Sequence, residues 1–137
     1  MNNQRKYEID VTSVDIFSLA RHGRFPQLEQ LLSMGVDPNS KDKYGNTILI
    51  IGAQNGNKSI VKLALRHGAL LNMSNCMGNS ALHFAVEFNY TKVKDYLLKK
   101  GANTTITNLR GYTAIEGTGR KLNKGNKRMP GYDPDEV

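Results

Sequence analysis

Three histidines and one cysteine are the side chains here that most often take part in catalysis or metal binding. His22, His67 and His83 have no Asp or Glu partner at the spacing of a metal site or of a general base. Cys76 stands in a predicted loop without a neighbouring base to activate its thiol. We therefore expect a protein that is not an enzyme and that holds no metal and no cofactor.

The glycine-rich stretch Gly117-Thr118-Gly119-Arg120 is the other candidate for chemistry, as a loop that binds phosphate. A phosphate loop has the pattern G-x-x-x-x-G-K-[ST] and follows a strand. This stretch lacks the lysine and the hydroxyl residue after it, and no strand is predicted before it. We therefore do not interpret it as a nucleotide site.

The chain is basic, with 19 Lys and Arg against 12 Asp and Glu and a net charge of +7. This balance raises the question of nucleic acid or anionic lipid as a partner. Residues 120–128 hold five positive charges, and the others are spread along the chain. No aromatic residue interrupts this cluster to stack on bases. Two interpretations stay open, a solubilising linker and a segment that assists binding of nucleic acid or acidic lipid.

The cysteine count, the N-terminal residues and the longest apolar run indicate in which cellular compartment the protein is expected. A single cysteine cannot form an internal disulfide, which favours a reducing, intracellular environment. Residues 1–10 have no apolar core that would make a signal peptide. The longest apolar run, residues 48–53, is too short to span a bilayer. We expect a monomer that is cytoplasmic, with the nucleus as the alternative.

Any functional site must be positioned by the elements of the fold, and the sequence pattern that predicts these elements recurs every 33 residues. A fixed period of this length is typical of a solenoid, in which each unit buries its apolar face against its neighbours. Three sets of residues keep this spacing: Gly45, Gly78 and Gly111; Gly35, Gly68 and Gly101; and Thr47, Ser80 and Thr113.

The third unit carries the sequence G-N-S-A-L-H-F-A at residues 78–85, then Leu97, Leu98 and Gly101-Ala102-Asn103. This pattern resembles the ankyrin repeat, and the resemblance covers residues 12–119. It implies an all-α solenoid of paired antiparallel helices with hairpin-like loops. We predict three helix-pair units plus a partial fourth.

The predicted units are residues 12–41, 42–74, 75–107 and the partial unit 108–119. A flexible segment, residues 1–11, precedes them, and a basic-then-acidic flexible tail, residues 120–137, follows. Thr47 and Ser80 are expected to cap the first helices of their units. Gly117 and Gly119 fall where the last unit needs a helix. Either a longer array was cut here, or the tail covers the exposed end.

Apolar stripes at helical spacing predict the core, in which we place Leu82 and Leu98. The proline of the family pattern T-P-L-H is absent from every unit, and its histidine remains only as His83. We therefore expect a less stable array than an ideal one. The resemblance also implies that Asn39 and Asn72 bridge the loops, and it raises hydroxylation of these side chains as an open question.

The resemblance implies a protein–protein interaction module that binds its partner on the concave surface of hairpin-like fingers and first helices. Aromatic residues, Met and Arg, which are enriched at the centres of interfaces, recur at these positions. An alternative for Phe88 and Leu109 is that they pack between units. The candidate partner-binding residues are Lys43, Tyr44, Asn46, Gln54, Asn55, Met77, Asn79, Glu87, Phe88, Leu109, Arg110 and Tyr112.

Overall fold

The structure is a computed structural model that describes residues 15–119. The two segments that the sequence predicts to be flexible, residues 1–11 and 120–137, lie outside the described residues. The prediction for them therefore stays a prediction.

The described residues form six α-helices in three consecutive pairs, which confirms the predicted all-α repeat architecture. The first helix of each pair packs against the first helix of the next pair, and the second helices do the same. We refer to them as inner and outer helices. The inner helices are α1 (Ile16–Arg21), α3 (Ile48–Gln54) and α5 (Ala81–Glu87), and the outer helices are α2 (Phe25–Ser33), α4 (Lys58–Arg66) and α6 (Thr91–Lys99).

Local sequence signals set the starts of these short helices. The Thr47 hydroxyl accepts a hydrogen bond from the Ile50 N–H at 3.2 Å, so the predicted cap of α3 is confirmed. The Asn57 side chain caps α4 by accepting from the Ile60 N–H at 3.2 Å. Helix α2 has Pro26 in its first turn, where a missing N–H leaves no hydrogen bond unmade.

Helix α3 is the centre of the core, because it lies between α1 and α5 and also contacts α4. Its sequence is almost wholly apolar, and all seven of its residues are buried. The outer helices instead bury one stripe each. In α2 this stripe consists of Leu28, Leu31 and Leu32, as the sequence predicts.

Helix α6 places its two neighbouring leucines at different depths. Leu97 is fully buried, whereas Leu98, which we predicted to be a core residue, is half-buried and packs against the core. Leu97 follows the buried Val93 by four residues and therefore shares its face, while the next residue is rotated by about 100°. The prediction is confirmed for Leu82 and only in part for Leu98.

Gly45 lies where one loop approaches the next. Its φ is +79°, which favours glycine, and a Cβ added there would lie 2.8 Å from the backbone nitrogen of Cys76. The equivalent Gly111 has a φ of +84°, but apart from its two chain neighbours no residue among 15–119 has a heavy atom within 4 Å of such a Cβ. The two glycines therefore share a backbone conformation and differ in their surroundings.

The fourth unit contributes one 3₁₀ turn, Ala114–Glu116, which packs against α5. The chain then turns at Gly117, and Thr118 becomes buried. Thr118 donates from its backbone N–H and from its hydroxyl to Oε1 of Glu87, at 3.1 and 2.7 Å. This short segment covers part of the last inner helix.

Neighbouring leucines on α6 provide a direct test of the helix orientation. We expect Leu97→Ala to lower the free energy of unfolding by about 2–5 kcal/mol, because it leaves a cavity in the core. Leu98→Ala removes the same atoms from a half-buried position, so its effect should be clearly smaller. Urea unfolding followed by circular dichroism measures both, and equal losses would contradict the observed orientation of α6.

Candidate protein-binding surface

Three loops of identical design, which we call fingers, precede α3, α5 and the 3₁₀ turn: residues 42–46, 75–79 and 108–112. In the middle finger, Oδ1 of Asn75 accepts hydrogen bonds from the N–H groups of Met77 and Asn79, at 3.0 and 3.1 Å. The Asn75 N–H in turn donates to the carbonyl of Asn79 at 2.9 Å. Asp42 and Asn108 hold their fingers in the same way. A short Asp or Asn side chain thus fixes each turn.

Backbone hydrogen bonds also join each finger to the next. The Cys76 N–H donates to the carbonyl of Tyr44 at 3.0 Å, and the Leu109 N–H donates to the carbonyl of Met77 at 3.0 Å. The tips of the three fingers therefore stand side by side at fixed positions.

Two of the predicted partner-binding residues, Asn46 and Asn79, are buried between the fingers. Oδ1 of Asn46 accepts from the side-chain amide of Asn75 at 3.0 Å, and Oδ1 of Asn79 accepts from that of Asn108 at 2.8 Å. Gln54 is buried too, with Nε2 lying 3.4 Å from Oδ1 of Asn46. These three side chains hold the fingers together and are not available on the surface of this structure.

The predicted residues near the ends of the inner helices also make contacts within the chain. Phe88 is 5% exposed and its ring lies 6.2 Å from that of Phe84 in the same unit, so it is a core residue and not part of the exposed surface. Glu87 accepts the two hydrogen bonds from Thr118 described above. Asn55 is half-buried and its side-chain amide lies 3.4 Å from the carbonyl of Arg21.

The remaining predicted residues are exposed on the fingers, and we call them the finger row. Leu109 is the most open of them, with 74% of its surface accessible, whereas Tyr44, Met77 and Tyr112 are about 40% exposed. Cys76, which the sequence places in a predicted loop but not among the partner-binding residues, is exposed beside Met77 at the tip of the middle finger. The finger row consists of Lys43, Tyr44, Met77, Leu109, Arg110 and Tyr112.

His83 has a structural place, in keeping with its lack of a predicted catalytic partner. Its Nδ1 accepts a hydrogen bond from the Ser80 N–H at 3.0 Å, so the other ring nitrogen, Nε2, carries the proton and donates to the Tyr112 carbonyl at 3.1 Å. Burial of the ring lowers the pKa of His83 below its ordinary value of 6.5, and the hydrogen bond to Tyr112 partly opposes this effect. The neutral ring therefore joins α5 to the last finger.

Residues 15–119 contain no group of three or more His, Cys, Asp or Glu side chains placed to hold a metal ion. None of their helices is both long and apolar enough to cross a membrane.

A comparison with known protein families identifies the repeat. The family model described as "Ankyrin repeats (3 copies)" matches residues 16–108, which is more than half of the chain. The chain belongs to the ankyrin-repeat family. Ankyrin repeats generally serve as protein–protein interaction modules.

Several relatives share these ankyrin repeats. The chain is 36% identical over 98 residues to BRCA1-associated RING domain protein 1 of Caenorhabditis elegans, an alignment that covers 70% of this chain and 14% of the relative. It is 34% identical over 113 residues to a putative ankyrin repeat protein of fowlpox virus, covering 80% of this chain and 33% of the relative. The chain thus spans about a third or less of these relatives, and the likeness concerns their repeats.

The hydrogen bonds of His83 lead to a prediction about how the stability of the protein depends on pH. Protonation must place a hydrogen on Nδ1, which already accepts from Ser80, so the folded state resists it. In acid the unfolded chain therefore binds more protons, and the free energy of unfolding should decrease as the pH falls through 6.5 toward the lower pKa of the folded state.

The variant His83→Gln separates this effect from other titrations. Glutamine at this position of a helix start also accepts a hydrogen bond from the capping residue's N–H, but it does not titrate. We expect the wild type to lose stability relative to the variant as the pH falls from neutral through 6.5, measured by urea unfolding at a series of pH values. Parallel pH profiles for the two proteins would contradict the prediction.

Proposed function

We propose that this chain is a protein–protein interaction module, a scaffold or adaptor whose protein partner binds the finger row. The observation that carries the proposal is the exposure of apolar side chains on a rigid backbone. Tyr44, Met77, Leu109 and Tyr112 are 38%, 42%, 74% and 40% exposed, although two buried asparagines stabilise the fingers beneath them. The fold itself does not require apolar groups at these tips.

The rigidity of the fingers favours binding. Each finger is closed by its own Asp or Asn side chain and is bonded to the adjacent finger through the backbone. A surface that is already ordered loses little conformational entropy when a partner binds, so more of the contact energy remains as affinity.

The composition of the row also suits a protein partner. Aromatic residues, Met and Arg are enriched at the centres of interfaces, and the row holds Tyr44, Met77, Arg110 and Tyr112. Lys43 adds charge at one end, where its Nζ lies 5.2 Å from the centroid of the Tyr44 ring. The buried residues Asn46, Gln54, Asn79 and Phe88 are left out of the proposed contact surface.

The proposal includes a monomer in an intracellular compartment. Cys76 supports this part, because an exposed lone thiol within a binding surface is best maintained under reducing conditions. The alternative function, binding of nucleic acid or acidic lipid, depends on residues 120–128, which lie outside the described residues. No contact among residues 15–119 supports binding of nucleic acid or acidic lipid through the tail.

The finger row is tested by removing its apolar side chains without disturbing the core. We expect Met77→Ser and Leu109→Ser each to weaken partner binding by about tenfold or more, as truncation of a central contact does, and to change the melting temperature little. Partners captured from an extract of the source cells by the wild type, quantified by mass spectrometry, provide the measurement.

Met34→Ser is the matched control. Met34 is 58% exposed at the end of the outer helix α2 and is not part of the finger row, so this variant should retain the captured proteins. If the row variants retain the same proteins as the control, the proposed surface is wrong. If they unfold at a lower temperature in proportion to the lost binding, Met77 and Leu109 act in folding instead.

A further inference from the structure

Helices α4 and α6 carry the excess positive charge of the described residues. Residues 15–119 contain twelve Lys and Arg and seven Asp and Glu. Seven of the twelve basic residues belong to these two helices or to Lys100, the C-cap of α6, and Asp95 is the one acidic residue there. Charges that are spread along the sequence are thus collected on two adjacent outer helices.

A groove of about 470 Å³ lies between these helices. Its volume is in the range that small ligands and peptide side chains occupy in protein sites. Basic side chains form both walls and two leucines contribute apolar surface. The lining residues are Lys62, Leu65, Arg66, Leu71, Tyr96 and Lys100.

Three ammonium groups surround one aromatic ring in this groove. The Nζ atoms of Lys58, Lys62 and Lys100 lie 5.5, 5.9 and 5.5 Å from the centroid of the Tyr96 ring. Among residues 15–119, no carboxylate forms an ion pair with any of the three. A single ring offsets only part of the repulsion among three cations, because each cation–π contact at an exposed site contributes only about 0.5–1 kcal/mol.

Arg66 adds a fourth positive charge at the same groove. It pairs with Glu29 at 3.5 Å, but both side chains are about half exposed, so solvent weakens this pair. The groove therefore presents more positive charge than the neighbouring side chains neutralise, which is the electrostatic condition for binding an anionic ligand.

We propose that this groove binds an extended acidic segment of a partner protein, with acidic residues on alternate positions and an apolar residue among them. Lys58, Lys62 and Arg66 follow one another at four-residue intervals, which is a rise of about 6 Å along a helix. Side chains on the same side of an extended peptide are separated by about 6.6 Å. Successive carboxylates of such a peptide therefore match successive cations of α4.

The apolar part of the groove favours a peptide over nucleic acid. Leu65 and Leu71 provide a contact for an apolar side chain between two acidic ones. Single-stranded nucleic acid binds through bases stacked on aromatic rings, but the Tyr96 ring is surrounded by lysines. Each helix has nine residues, so the basic stripe extends only about 13 Å, which is short for a duplex.

This second surface is independent of the finger row, because the two share no residue. A partner could engage either surface alone, and failure of one proposal leaves the other intact. The experiment described next uses a defined peptide and needs no knowledge of the partner at the fingers.

The test uses the full chain and a short fluorescent peptide in which glutamate alternates with serine around one central leucine. We expect binding, measured by fluorescence anisotropy, that weakens as salt is added and disappears when glutamine replaces glutamate. Lys62→Glu should reduce the affinity by about tenfold or more, because it places like charges opposite each other. Arg24→Glu changes the net charge equally at the exposed start of α2, outside both proposed surfaces, and should leave the affinity unchanged within about twofold.

Chemical acetylation of the wild type locates the peptide without any substitution. The peptide should protect Lys58, Lys62 and Lys100, but not Lys43. Equal effects of the two charge reversals, protection elsewhere, or a preference for duplex DNA over the peptide would overturn the proposal. The proposal would also be overturned if these lysines were protected from acetylation without added peptide and lost that protection when Asp133, Asp135 and Glu136 were neutralised. The chain itself would then occupy the groove.

Discussion

The structure depends on one constraint, that an amide buried between two fingers must be hydrogen-bonded. Neighbouring fingers meet this need together. The side-chain amides of Asn75 and Asn108 donate to the buried Asn46 and Asn79 of the preceding finger. Removal of the Asn108 amide would leave the buried Oδ1 of Asn79 without this hydrogen bond, at a cost of about 1–3 kcal/mol. The repeats are therefore coupled through polar contacts as well as through the apolar core formed by α3.

The sequence was sufficient to predict the helix pairs and the start of α3, because these depend on short-range signals such as the Thr47 cap and the 33-residue period. It did not predict which residues are exposed at the repeat boundaries. Phe88 is buried, although helical spacing alone places it near the end of α5, and Glu87 is bonded to Thr118, a residue 31 positions away for which the sequence has no local signal. The sequence also did not distinguish the buried Leu97 from the half-buried Leu98, because adjacent leucines leave the helix face undetermined within one residue.

Both proposed surfaces are properties of neighbouring repeats and not of a single repeat. The finger row needs the backbone bonds between tips, such as the one from Cys76 to Tyr44. The basic groove needs α4 beside α6, so that lysines from two units surround Tyr96. The sequence shows the excess of positive charges over negative ones. Their concentration at this groove depends on how the helices pack. On both proposals, binding specificity would reside in the junctions between units.

The contrast between Gly45 and Gly111 has an evolutionary consequence. Both have a positive φ, but only Gly45 also has the backbone of Cys76 against the space where a Cβ would stand. Residues with positive φ other than glycine do occur, as Asn89 demonstrates in this chain with a φ of +58°. An asparagine could therefore be accepted more readily at Gly111 than at Gly45. Selection should therefore preserve the glycine of a finger most strictly where the backbone of a following finger packs against it, as at Gly45.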